Sequence, residues 1–272
     1  MSYLRGIDVS EHQGAIDWEQ VKGNIDFAML RAGYGKGHVD KQFVRNATEC
    51  NRLGIPIGIY WFSYAKTQAE AKAEAAFCID TIKAFKIDWP VCYDFEYDSV
   101  NNAKLVGVTI TKALATQMAN AFLYDVEEAG YFAMNYSNID YLSRYFDPAL
   151  RSRFALWLAC WPKAVRDPNT PPTTCGIWQW GGSTVPGISG NVDSNYAYVD
   201  YAARSATTPA AATTTPASTA PESQDWQLAA VKTALSDGLI GSDSWANQYA
   251  QPATIGFVCQ VATNLFNKIK GA

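Results

Sequence analysis

Two carboxylates, Asp94 and Glu96, stand two residues apart at the end of an apolar run, Trp89-Pro90-Val91-Cys92-Tyr93. On a strand this spacing puts both side chains on one face, with Cα atoms roughly 6.6 Å apart at about 3.3 Å per residue. Two carboxyls at the rim of a dry core cannot both ionise freely. One is expected to keep its proton near neutral pH while the other stays charged. Such a pair, without a His or Cys partner, suits cleavage of glycosidic bonds: an acid protonates the leaving oxygen, and an anion stabilises or attacks the sugar cation. A solvated strand end is the plain alternative for any lone Asp-x-Glu. Two further acids, Asp8 and Asp193, fall at the ends of other apolar runs and strengthen the chemical reading.

The elements that must position these acids alternate along the first 200 residues. Strand-like runs are expected at 4–9, 27–32, 55–64, 89–95, 131–136, 154–160, 176–180 and 191–198. Helix-like stretches lie between the early runs, at 17–22, 41–53, 68–85 and 109–128, with a shorter one at 137–146. Thr67 and Thr109 are the expected N-caps, and Gly54 and Gly130 the expected stops. Strands alternating with helices argue for a parallel sheet, and eight of them for closure into a barrel. The later connections are too short, or too rich in Gly and Pro, for full helices. The fold class expected is therefore α/β: an irregular TIM-like (β/α)5(β)3 barrel.

Chemistry in such barrels sits at the C-terminal ends of the strands. Asp8, Asp94, Glu96 and Asp193 are expected there, with Asp8 and Asp193 side by side on neighbouring first and last strands. Around them stand Tyr60, Phe62, Tyr64, Tyr136, Trp157, Trp161, Trp178 and Gln179. Aromatic faces pack against the CH faces of sugar rings, and their N–H and O–H groups donate hydrogen bonds. Tyr60, Tyr136 and Trp161 are read as groove lining, whereas Phe62 and Trp178 are equally open to a core reading. Gln179 has an amide able to bridge substrate and carboxylates. Cys92 is assigned to the core, one layer below the acids.

Composition excludes several classes. The chain of 272 residues carries a net charge of −4 and 13% aromatics, so a nucleic-acid partner is not expected. The two His, His12 and His38, and six Cys without a CxxC pair offer no metal-centre spacing. No metal or cofactor is expected, and the Cys are read as buried thiols. There is no apolar run long enough for a membrane span. The opening residues Met1-Ser2-Tyr3-Leu4-Arg5-Gly6 do not read as a signal peptide.

Residues 205–223 contain six Thr, six Ala and three Pro, with no large apolar residue, and read as an extended linker. The chain therefore divides into a barrel at 1–204, the linker, and a small helical module at 224–272. Residues 204–272 hold four basic and four acidic side chains, so the whole −4 belongs to the barrel. The module is expected to use two helices, at 225–235 and 255–269. It is read as binding a cell-wall polymer, self-associating, or both, on a faint likeness to an S-layer-homology repeat.

Gly6-Ile7-Asp8-Val9-Ser10, His12-Gln13-Gly14 and Ile16-Asp17-Trp18 resemble the opening of glycoside hydrolase family 25, the Chalaropsis-type muramidases of endolysins and autolysins. Arg31-Ala32-Gly33-Tyr34-Gly35, Gly58-Ile59-Tyr60-Trp61-Phe62-Ser63-Tyr64 and Asp94-Phe95-Glu96 resemble its next motifs, in order. So do Trp157-Leu158-Ala159, Trp178-Gln179-Trp180 and Val192-Asp193-Ser194-Asn195. Trp61 departs from the family's usual residue, which bears on groove shape. The resemblance spans about residues 4–201 and implies hydrolysis of the β-1,4 bond between N-acetylmuramic acid and N-acetylglucosamine in bacterial peptidoglycan. It implies Glu96 as general acid/base and Asp94 as stabiliser of the reacting centre, for instance by orienting the substrate's own acetamido group, with Asp8 and Asp193 as a supporting pair. A non-catalytic peptidoglycan-binding barrel, or a glycosidase cutting a different amino-sugar bond, are the alternatives. The intact acid pair argues against the first of these. The expected setting is synthesis in the cytoplasm and release to the wall through a holin-type lesion.

Overall fold

The computed structural model describes residues 3–161 and 167–203. The linker expected at 205–223, the module expected at 224–272 and Cys259 lie outside the described residues.

Among the described residues nine strands are formed: β1 (Leu4–Val9), β2 (Phe27–Tyr34), β3 (His38–Val39), β4 (Ile57–Phe62), β5 (Val91–Asp94), β6 (Ala133–Asn138), β7 (Ala155–Ala159), β8 (Ile177–Thr184) and β9 (Asn191–Ala197). Their order is β1-β9-β8-β7-β6-β5-β4-β2, and a β1–β2 pairing closes the ring into an eight-stranded barrel. β3 is a two-residue antiparallel arm on β2. The expected (β/α)5(β)3 pattern is present: helices follow β1, β2, β4, β5 and β6, and among the described residues none lies between β7 and β8 or between β8 and β9.

The parallel expectation needs one correction. β9 runs antiparallel to both β1 and β8. Only residues 185–190 join β8 to β9, whereas a parallel return needs a dozen residues or more. The reversal brings the start of β9, and with it Asp193, to the end of the barrel that holds the C-termini of the other strands.

The helices are α1 (Trp18–Val21), α2 (Phe43–Leu53), α3 (Gln68–Ile82), α4 (Tyr97–Leu105), α5 (Lys112–Glu128), α6 (Ile139–Arg144) and α7 (Pro148–Arg153). The Thr67 hydroxyl accepts the Glu70 N–H and starts α3 as expected. α5 starts on Thr111 rather than Thr109, because the Thr111 hydroxyl is the one that accepts the Leu114 N–H. Gly54 ends α2 with φ 71°, a left-handed conformation that glycine adopts without steric cost. α4 and α7 are additions to the sequence reading. α4 begins directly at Glu96, and α7 carries Pro148 in its first turn.

Two apolar layers result from strand alternation. One fills the barrel: Phe27, Met29, Trp89, Cys92, Met134, Trp157, Ile177 and Ala197 are buried together. Phe27 stacks on Trp89 with ring centroids 3.9 Å apart. Gly6 makes room for this filling, since a Cβ there would lie 2.3 Å from the Phe27 ring. Gly58 does the same beside the Met29 sulfur, at 2.5 Å. The larger layer lies between the barrel and its helices and includes Ile7, Ile59, Trp61, Tyr93 and Phe122. Cys50, Cys78 and Cys92 are buried as expected, while Cys160 and Cys175 are half-buried. Among the described residues, no helix is long and apolar enough to cross a membrane.

Candidate active site

The inward-facing side chains of the last barrel layer line a pocket of about 260 Å³. Asp8, Asp94, Glu96, Asp193, Tyr60, Phe62, Tyr136, Trp157 and Gln179 all belong to it. Eight strands must close for these residues to meet. Asp8 from β1 and Asp193 from β9 are direct partners in the antiparallel ladder. Asp94 ends β5, and Glu96 leaves that strand in an extended conformation to become the N-cap of α4. There the Glu96 N–H donates to the Ser99 hydroxyl at 3.0 Å.

Asp8 is held by amides. Gln179 Nε2 donates to both carboxylate oxygens, at 3.2 and 3.0 Å, and Asn195 Nδ2 donates to Oδ2 at 2.7 Å. Burial nevertheless pushes the Asp8 carboxyl up to about 7, with the Asp193 charge adding to it against the pull of the two amides. Asn195 is held in turn by the Trp157 indole N–H, 2.8 Å from its Oδ1. This orients the amide so that its NH2 faces Asp8.

Asp94 and Glu96 form a buried acid pair. Burial raises Asp94 well above the usual carboxylate range, followed by the charges of Glu96 and Asp8; Arg31 opposes them. Glu96 is pushed up to about 7, chiefly by burial and then by the charges of Asp193 and Asp98. Hydrogen bonds from Asp94 and from the Tyr136 hydroxyl favour its charged form. Oδ1 of Asp94 is buried and has no hydrogen-bond partner. Asp193 is also raised by burial. A pocket whose carboxyls are raised toward neutrality can both deliver and remove a proton.

The aromatic and amide residues fall into three groups. Tyr60, Phe62, Tyr136, Trp157 and Gln179 line the pocket as anticipated. Trp157 is a buried wall packed edge-on against Tyr136, with centroids 4.7 Å apart, and its N–H is committed to Asn195. Trp161 stands at the rim, 56% exposed, and its indole N–H donates inward to Gln179 Oε1 at 3.2 Å.

Tyr64 departs from the expectation and does not line the pocket. β4 ends at Phe62, so the two-residue alternation that was to carry Tyr64 inward stops there. Its ring packs instead on Phe62 and Tyr34. Trp178 belongs to the core, donating to the Cys160 carbonyl at 2.8 Å. Trp61 faces the helices and donates to the Gly35 carbonyl, so its departure from the family pattern does not shape the groove.

Some contributors were not singled out from sequence. Arg31, Ser10, His12 and Gln13 also line the pocket. Arg31 is paired with Asp40 at 2.7 Å and with Glu11 at 3.1 Å. Asp40 also accepts the Glu11 and Gln42 N–H groups, tying the β1 end to the β3 arm. Asn195 had a readable signal: it lies two residues beyond Asp193 and shares its face. Among the described residues, no group of His, Cys, Asp and Glu is arranged to hold a metal ion.

Lysozyme M1 of Streptomyces globisporus is 26% identical over 203 residues, covering 71% of this chain and 67% of that protein. The modular autolysin LytC of Streptococcus pneumoniae, solved also with a synthetic peptidoglycan ligand, superposes with a TM-score of 0.61 at 30% identity. That match covers 72% of this chain but 47% of the autolysin, so the chain spans about half of that relative's length. The bacterial lysozyme of Streptomyces coelicolor shares the fold, with a TM-score of 0.59 at 23% identity over 75% of this chain and 95% of its own. The sequence profile described as glycosyl hydrolases family 25 matches residues 7–188. With the barrel, its reversed last strand and its acid-lined mouth in place, this match shows that the chain belongs to glycosyl hydrolases family 25.

Proposed function

We propose that the chain is a peptidoglycan hydrolase that cleaves the β-1,4 bond between N-acetylmuramic acid and N-acetylglucosamine. The observation that carries this is the Asp94–Glu96 pair, both carboxyls buried and raised, in a pocket lined by aromatic rings. Family membership and the likeness to an autolysin solved with a peptidoglycan ligand support the substrate class.

In this reading Glu96 is the general acid and base. Asp94 begins as the proton holder. A substrate acetamido N–H brought to the buried, unpartnered Asp94 Oδ1 favours the carboxylate there. The proton then passes to Glu96, which delivers it to the glycosidic oxygen as the bond breaks. The acetamido oxygen, oriented by Asp94, meets the developing positive charge at the anomeric carbon. Water later attacks that carbon and returns its proton to Glu96. Asp8 and Asp193 supply the negative field that keeps the proton in the pair.

The test is digestion of purified cell walls followed by mass spectrometry of the reduced products. New reducing-end muramic acid is expected. New reducing-end glucosamine, or no new reducing sugar, would overturn the bond assignment. Composition further supports a tethered second module at 224–272 that increases residence on the wall. Wall binding unchanged by truncation after Ala203 would remove that role.

A further inference from the structure

The buried carbonyl oxygen of Gln179 accepts from two donors, the Tyr136 hydroxyl and the Trp161 indole N–H, each at 3.2 Å. Tyr136 donates to Gln179 Oε1 and lines the same pocket as the Glu96 carboxylate, whose charged form its hydroxyl favours. It has one proton to give. Burial, with the charges of Glu96, Asp94, Asp8 and Asp193, holds the phenol well above its usual range, so that proton stays on.

Two arrangements follow. With Glu96 charged, Tyr136 donates to it, and Gln179 Oε1 is satisfied by Trp161 alone. With Glu96 protonated, the acid donates to the phenol oxygen and the phenol donates to Gln179. The phenol must turn between them each time Glu96 gains or loses its proton. A buried acceptor left without a donor is costly. Without the indole N–H, Tyr136 would orphan Gln179 Oε1 whenever it turned to Glu96.

We propose that Trp161 is a positioning residue for Glu96: by satisfying Gln179 Oε1 from the rim, its indole N–H frees the Tyr136 hydroxyl to follow Glu96 through its protonation cycle. The proposal rests on the acid/base reading of Glu96. It gives the exposed ring a task beyond packing against sugar. The other groups acting on Glu96 are Asp94 on β5, Asp193 on β9 and Asp98 on α4, while Asp8 on β1, Arg31 on β2 and His12 share the pocket. Removing the indole N–H changes none of them.

Trp161→Phe keeps an aromatic ring and deletes the donor. In the full chain, Tyr136 then stays on Gln179 and the Glu96 carboxylate loses a hydrogen bond. The alkaline limb of kcat/KM against pH should move up by about half to one unit. The Glu96 carboxyl resonance, followed by 13C NMR and assigned with Glu96→Gln, should titrate higher by the same amount. Tyr136→Phe should raise both, and adding Trp161→Phe to it should add nothing. An unmoved limb and carboxyl titration in Trp161→Phe, with only KM changed, would reduce Trp161 to a sugar platform and overturn the proposal. The NMR arm needs no turnover and judges the relay even if wall digestion fails. Trp161→Phe alone decides the matter if Tyr136→Phe does not fold.

Discussion

Asp8 and Asp193 face each other across the antiparallel β1–β9 ladder, on the wall that looks onto Glu96. Asp193 is the second cause, after burial, of the raised titration of both Asp8 and Glu96. Removing its charge relieves both. Asp193→Asn should therefore lower the alkaline limb of kcat/KM, by about half a unit or more. This is the opposite direction from Trp161→Phe. A limb that stays in place when pH profiles of the two proteins are overlaid would show that Asp193 does not act on the acid.

Glu96→Gln keeps the size of the side chain and removes its proton chemistry. Hydrolysis should fall by ~10²–10⁴-fold, the usual worth of a general acid/base, with an unchanged circular dichroism spectrum. Asp94→Asn should also lower kcat, because an amide cannot pass a proton to Glu96 or take up charge toward an acetamido N–H. Soluble glycan fragments provide the assay. Retention of more than about a tenth of the rate in Glu96→Gln would contradict the role.

Glu74 sits outside the pocket, 2% exposed on the barrel side of α3. Its Oε1 accepts the Tyr64 N–H at 3.0 Å. Burial pushes its carboxyl up to about 7, against the pull of the Ser63 hydroxyl and the Tyr64 N–H. Below about 4.5 the group is neutral both folded and unfolded. As pH rises from about 4.5 to 7 the unfolded chain ionises while the native group stays neutral, and stability is lost. The loss is about 3 kcal/mol once complete. Glu74→Gln retains the acceptor for Tyr64 and has no charge to bury. Its stability relative to the native chain should rise between pH 5 and 8, as read from urea unfolding. Parallel stability curves would refute the assignment.

Gly58 tolerates no side chain, because a Cβ there meets the Met29 sulfur at 2.5 Å and the Pro90 carbonyl oxygen at 2.8 Å. Gly58→Ala should cost about 1–3 kcal/mol by overpacking. Met29→Ala in the same chain should restore only part of that, since the backbone oxygen of Pro90 cannot withdraw. Thermal unfolding compares the variants, and full restoration would show that Met29 alone sets the limit.

Much of the barrel was legible along the chain because the signals are local. The run from Trp89 to Tyr93 reads as a buried strand, and the two-residue spacing of Asp94 and Glu96 places both acids at its mouth. Thr67 and Gly54 mark helix ends through contacts with their own neighbours. Tyr60 and Phe62 share a face by simple alternation. The same rule failed for Tyr64, two residues later, because strand length is set by pairing with β2 and β5 rather than by the residue itself. The direction of β9 was not read, because the structure extends β8 to Thr184 and so shortens the connection to residues 185–190, too few for a parallel crossover.

Residue types and short-range spacing therefore carried the acid pair, the alternation of elements and the aromatic mouth. Closure of the barrel decided the rest. Asn195 reaches Asp8 across 187 residues of chain. Trp161 touches Gln179, and Tyr136 donates to Gln179 in the pocket that Glu96 lines, because four different segments end at one rim. The carboxyls rise toward neutrality because closure strips water from all of them at once and sets like charges together. Desolvation and long-range pairing depend on the whole enclosure, and no local pattern encodes them.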